Sequence, residues 1–146
     1  MSKQTITINN CDFQDNIALS SNIFIDTVAS VLVSKTRFRR NLSYTSANGL
    51  SIYNAASVSV TDSYFYNNIG YYMSKGGAFS VIASSQILIQ NNKFVSNLSG
   101  HKGSALHLLN NAAIQILDNH FENNGPVFSI HEARNSPYYL YLTANT

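Results

Sequence analysis

Paired carboxylates can divide acid and base roles across a substrate, and clusters of them can hold calcium. The chain carries seven acidic residues, of which Asp62 and Asp118 share one position of the repeat described below. Two coils apart, with Asn91 between them, they are expected about 9.6 Å apart along the stack, a separation open to an inverting hydrolase. Each also opens an Asp-Ser or Asp-Asn bend, where aspartate caps a turn. The turn role is the expected one, and no catalytic residue is assigned. His101, His107, His120 and His131 show neither a metal-ligand spacing nor a nucleophile-and-base set. Cys11 is the sole cysteine, which excludes an intrachain disulfide and a cysteine-clustered metal site. No metal site and no cofactor are expected.

Basic residues concentrate in Arg37-Phe38-Arg39-Arg40, but a net charge of +2 is too small to imply a nucleic-acid partner. Asp12 and Arg37 share one repeat position on neighbouring coils, and Asp15 and Arg40 share another. Such cross-strand pairs contribute about 0.2–1 kcal/mol and help to fix register. Arg37, Arg39, Tyr64 and Tyr66 should point outward, with Tyr71 and Tyr72 in a nearby bend. Aromatic and arginine side chains beside amides suit a sugar or protein contact, so these six residues form the candidate binding surface. Tyrosine is also favoured in strands for its own sake. Asn41-Leu42-Ser43 and Asn97-Leu98-Ser99 match the glycosylation acceptor pattern. Both asparagines belong to a ladder, and neither is expected to be modified in the folded state.

A repeat positions all of these residues. Phe13, Phe38, Phe65, Phe94 and Phe121 are separated by 25, 27, 29 and 27 residues. Three positions after each stands an asparagine: Asn16, Asn41, Asn68, Asn97 and Asn124. Seven and five positions before each phenylalanine stand β-branched pairs, Ile6 and Ile8 through Ile114 and Ile116, alternating with polar or small neighbours. That pattern reads as a short strand with one buried face. A second pair, such as Leu50 and Ile52, precedes the first and marks a second strand per coil, joined to it by a tight bend such as Asn54-Ala55-Ala56-Ser57. Cys11, Thr36, Ser63, Asn92 and Asn119 fill a small or polar inward position two residues before the phenylalanines. Ile17, Leu42, Ile69 and Leu98, four residues after them, are expected to close the core.

These segments are too short for helices and cannot close a core within one coil, so they must stack. The fold class is all-β: a right-handed single-stranded parallel β-helix of about five coils of 25–29 residues plus a partial sixth, forming one domain over residues 1–146. In such a stack the phenylalanines form an aromatic ladder. The asparagines form a corner ladder, bonding a turn backbone and the asparagine of the next coil and accepting left-handed geometry at the bend.

Composition agrees. Apolar residues make up 45% and charged residues 11%, so Asn, Ser and Thr must keep the surface polar. No run of 18 apolar residues suggests a membrane span, and Met1–Asn10 does not read as a signal peptide.

Phe65-Tyr66-Asn67-Asn68-Ile69 followed by Gly76-Gly77-Ala78-Phe79 resembles the paired F-x-x-N and G-G-A-I repeats of polymorphic outer membrane proteins and autotransporter passenger domains, in the pectate-lyase-like β-helix superfamily. Phe94-Val95-Ser96-Asn97 with Gly103-Ser104-Ala105-Leu106 is a looser copy. The resemblance spans roughly residues 5 to 130. It implies a surface or extracellular, adhesive protein. The superfamily's enzymes supply the alternative, a polysaccharide lyase or glycoside hydrolase fragment whose catalytic coils lie elsewhere.

The first ladder starts almost at once with Ile6 and Ile8, leaving residues 1 to 5 no room for a cap. Phe128 and Ile130 continue the second-strand pair, and Tyr138–Leu142 reads as a further strand after a Pro137 bend. Open ends expose strand edges. The expected partners are therefore neighbouring coils or protein subunits at the ends, with carbohydrate on the faces, without nucleic acid or membrane insertion.

Overall fold

The computed structural model describes residues 4–126, 128–132 and 139–143, with side chains described over 4–126 and at Ser129. Pro137 and Tyr138 lie outside the described residues, as do residues 1–3 of the N-terminal segment.

The chain winds as a parallel right-handed β-helix of about five turns. Four stacks of short strands run along it. Sheet A holds Thr5–Asn9, Ser30–Ser34, Ser57–Thr61, Gln86–Gln90, Ala113–Leu117 and Tyr139–Thr143. Sheet B holds Asp12–Gln14, Arg37–Arg39, Tyr64–Tyr66, Lys93–Val95 and His120–Glu122. Sheet C is the narrow one, made of Ile17–Ala18, Leu42–Ser43 and Ile69–Gly70 and extended to coil four by an Ile69 to Leu98 bridge. Sheet D holds Ile23–Asp26, Leu50–Tyr53, Phe79–Ile82, Leu106–Asn111 and Phe128–Glu132. Repeat-equivalent residues pair in parallel: Val31 with Val58, Phe65 with Phe94, and Phe79 with Leu106. Tyr139–Thr143 pairs with Ala113–Leu117, so the further strand predicted near the end is present and starts the sixth coil.

The two strands expected per coil are thus four, because left-handed residues cut the chain at three corners. Asn10, Lys35, Asp62, Asn91 and Asp118 have φ between 50 and 55° or just below, at 49° for Lys35, where sheet A turns into sheet B. Asp15, Arg40, Asn67, Ser96 and Asn123 do the same between sheets B and C, and Thr27, Asn54, Ala83 and Asn110 between D and A. The left-handed residue is therefore the one before each ladder asparagine, not the asparagine itself. Asn and Asp, which tolerate this conformation, hold nine of these fourteen positions.

A left-handed residue resets the alternation of side chains, which corrects one expectation. Counting by twos from Phe65 puts Ile69 inside. The turn at Asn67 instead sends Asn68 inside, Ile69 out and Gly70 in, and the same holds in the other coils. Ile17 and Leu98 are exposed, Leu42 and Ile69 half-buried, while Ser43 and Gly70 are buried.

Inside, Phe13, Phe38, Phe65, Phe94 and Phe121 stack with centroid separations of 5.4, 4.7, 4.8 and 5.0 Å. Val31, Val33, Val58, Val60, Ile89 and Ile116 line the facing wall and Leu50, Phe79, Leu106 and Leu108 the third, all essentially inaccessible. Each such side chain contributes about 1.5–3 kcal/mol on burial. The Gly76-Gly77 pair has a steric cause. Gly76 has φ +80°, and a Cβ on Gly77 would sit 2.3 Å from the Ser104 carbonyl oxygen and 2.6 Å from that of Leu98. The next coil passes too close for any side chain there.

Candidate functional site

Three outer faces carry the polar and aromatic residues picked out from the sequence. On sheet B, Arg37 pairs with Tyr64 and Arg39 with Tyr66 across adjacent strands, so these four residues form one patch. Its arginines are already engaged. Asp12 takes its two-pronged contact from Arg39, at 3.1 Å to Nε and 2.5 Å to Nη2, and Arg39 Nη2 also donates to Gln14 Oε1 at 2.7 Å. Arg37, the residue directly across from Asp12, reaches it less closely at 3.3 Å. The diagonal wins because the longer reach lets the guanidinium fork meet both carboxylate oxygens. Arg40 holds Asp15 through two bonds of 2.7 and 2.6 Å. That hydrogen-bonded guanidinium lowers the Asp15 carboxyl below the ordinary aspartate range, and Asp15 in turn raises Arg40. Tyr64 and Tyr66 are half-buried and stack on each other at 5.8 Å, and partial burial raises the Tyr64 hydroxyl.

Tyr71 and Tyr72 belong to a different face, the bend after sheet C. Tyr71 stacks on Tyr44 of the preceding coil at 5.9 Å, while Tyr72 is 82% exposed. The six-residue surface expected from the sequence is therefore two surfaces. The exposed apolar column beside Tyr44 and Tyr71, Ile17 through Leu98, was missed by sequence reasoning, which placed it in the core.

On the outer face of sheet A, Ser57, Ser59, Gln86 and Gln115 surround a shallow depression of about 370 Å³ that Leu88 also lines, and Leu32 is exposed on the same sheet. At its corner Thr61, Asp62, Gln90, Asn91 and Asp118 line a second depression of about 600 Å³. The two aspartates paired by position do meet one hollow. Both carboxylates accept amide hydrogen bonds there, Asp62 from Asn91 Nδ2 and Asp118 from Gln90 Nε2 at 3.5 Å. Both sit at left-handed corner positions, as the turn role requires.

The largest polar construction is inside. At the B-to-C corner the backbone N–H and Nδ2 of each asparagine donate to Oδ1 of the asparagine one coil on: Asn16 to Asn41, Asn41 to Asn68, Asn68 to Asn97 and Asn97 to Asn124. Each Nδ2 from Asn41 onward also donates back to the carbonyl of the previous coil's phenylalanine. The A-to-B corner repeats the scheme with Cys11, Thr36, Ser63, Asn92 and Asn119, whose backbone N–H groups donate to the next member's side chain. The D-to-A corner does so from Ala55 to Ser84 to Asn111. The second and third ladders join the amide column visible in the sequence.

His107 is buried on sheet D, whereas His101 is exposed and His120 lies 3.3 Å from Glu122 on sheet B; the side chain of His131 is outside the described residues. Among the described residues no group of three His, Cys, Asp or Glu side chains comes together to hold a metal ion. No described helix is long and apolar enough to cross a membrane. The sequon asparagines Asn41 and Asn97 are each 1% exposed.

Neither the curated proteins nor the solved structures contain a match to the chain. A family model described as right handed beta helix region matches residues 1–141, nearly the whole length. With coil, register and ladders in agreement, the chain belongs to the right-handed β-helix family.

Proposed function

We propose that the chain is a non-catalytic structural or adhesive module that contacts protein or carbohydrate through its outer faces at a cell surface or outside the cell. One observation carries this reading: the carboxylates and amides that could do chemistry are engaged by neighbouring side chains. Asp12 and Asp15 are held by arginines, Asp62 and Asp118 by amides, and the asparagines by their own ladder. The outer face of sheet A adds hydroxyls and carboxamides interspersed with Leu32 and Leu88.

Incubating the chain with a panel of acidic and neutral polysaccharides tests the reading. Binding without new reducing ends or unsaturated products is expected; turnover lost in an Asp62→Asn/Asp118→Asn variant would overturn it.

That last outcome belongs to a second reading, a polysaccharide lyase or glycoside hydrolase fragment. It is favoured by the single hollow that Asp62 and Asp118 share.

A further inference from the structure

We propose that the apolar ridge along sheet C is a self-association surface, through which the chain pairs side by side and antiparallel with a second copy of itself. The ridge has two columns. Ile17, Leu42, Ile69 and Leu98 form one, joined coil to coil by the sheet C pairing, and Leu19, Tyr44 and Tyr71 form the other. Ile17, Leu19, Tyr72, Met73 and Leu98 are exposed by 75, 77, 82, 69 and 49%. Side chains of aromatic size bury about 150–250 Å² when fully covered. With Tyr44 and Tyr71 the ridge thus offers an area comparable with the roughly 800 Å² per partner of a standard interface. A free soluble surface rarely leaves so continuous an apolar patch uncovered.

The occupant follows from charge and shape. No Asp, Glu, Lys or Arg falls within residues 17–19, 42–44 or 69–73, the neighbouring Asp15 and Arg40 neutralise each other, and Lys75 and Lys102, bridged to each other, border the ridge beyond Met73 and Leu98. The crest of the ridge is thus apolar, with charge confined to its border. Its relief peaks in the third coil: from the ladder asparagine to the first residue of sheet D the chain takes seven residues in coil one, nine in coil two, eleven in coil three and nine in coil four. Coil one is therefore a low step at Ile17 and Leu19, and coil three a bulge at Tyr72 and Met73. A two-fold axis across the ridge sets the bulge of each copy over the step of the other, the self-complementarity that a closed dimer needs.

Sedimentation equilibrium of the full chain should show a monomer–dimer equilibrium that stops at two copies. Leu19→Ser/Ile17→Ser and Tyr72→Ser/Met73→Ser, all at exposed positions and checked for fold by circular dichroism, should each weaken it by roughly 100-fold. In a Cys11→Ser background, Leu19→Cys mixed with Met73→Cys should cross-link on oxidation far faster than Leu19→Cys alone. A monomer at every concentration, or association that the ridge substitutions leave unchanged, would overturn the proposal. An open-ended series that survives those substitutions would place self-association at the ends of the stack instead, and a Leu19→Cys chain cross-linking to itself would exclude the antiparallel arrangement.

Discussion

Asn68 donates both its backbone N–H and its Nδ2 to the Oδ1 of Asn97, at 3.1 and 2.9 Å, although 29 residues separate the two. The same Nδ2 reaches back to the Phe38 carbonyl at 3.0 Å, and Asn68 Oδ1 takes the two donors of Asn41. One buried amide thus ties three coils together. Its direction is fixed, since the backbone N–H and one Nδ2 hydrogen point toward the C-terminal coil and the other Nδ2 hydrogen toward the N-terminal one.

Removing that amide strands donors and acceptors that have no water to turn to. Each orphaned buried group costs about 1–3 kcal/mol. Asn68→Ala is expected to lower the unfolding free energy by at least ~3 kcal/mol in urea titration, whereas Asn16→Ala, at the exposed end of the ladder, should change it by less than ~1 kcal/mol. Equal effects would show that the ladder is not what holds the corner.

Close coil contact predicts an asymmetry between glycines. Gly77→Ala would drive a Cβ into the Ser104 and Leu98 carbonyls, two fixed backbone atoms. A loss of roughly 1–3 kcal/mol is expected, read as a lower melting temperature. At Gly125 the nearest atom is the Ser104 hydroxyl, a side chain that can rotate away, and an alanine there should be milder.

Acid should loosen the first two coils. The hydrogen-bonded Arg40 guanidinium lowers the Asp15 carboxyl, and the Asn54 amide followed by the Thr27 hydroxyl lowers Asp26. A carboxyl whose folded value lies below its unfolded one contributes stability that is present above about pH 4 and is lost as pH falls through the folded value. Asp15→Asn should therefore flatten the acid limb of stability against pH without altering it near neutrality in shape. An acid limb unchanged in that variant would remove the ion pair from the account.

Buried sequons should stay bare. Asn41 and Asn97 cannot carry a glycan without leaving the ladder, so chain expressed through a eukaryotic secretory pathway should show no mass increment at either site by peptide mass spectrometry. A glycan at Asn97 in folded protein would contradict the buried corner.

The coil was legible because its marks keep constant offsets: Phe13 to Phe121 and Asn16 to Asn124 recur where the structure stacks them. The phase after Asn67 was not. Hydrophobicity and a period of two place Ile69 inside, and only the left-handed turn at Asn67 reverses it. Which positions turn left-handed is hidden at Arg40, Lys35, Thr27 and Ala83, residue types that do not announce it. The Asp12 to Arg39 diagonal was likewise hidden, because repeat position fixes which backbones pair but not how far a guanidinium reaches. The sequence grouped Tyr71 and Tyr72 with Tyr64 and Tyr66 by composition, and the corner at Asn67 and Asn68 divides them between two faces.

Side-chain amide hydrogen exchange tests the central claim most directly, that the ladder amides of this chain are consumed in holding its coils together. The Nδ2 protons of Asn41, Asn68, Asn92 and Asn97, followed by NMR after transfer to deuterated buffer, should exchange only through global unfolding, as slowly as the backbone amides of Val58 and Val60. Exchange of these four amides as fast as that of Asn16 would mean the ladders are open to water, and the account would fail.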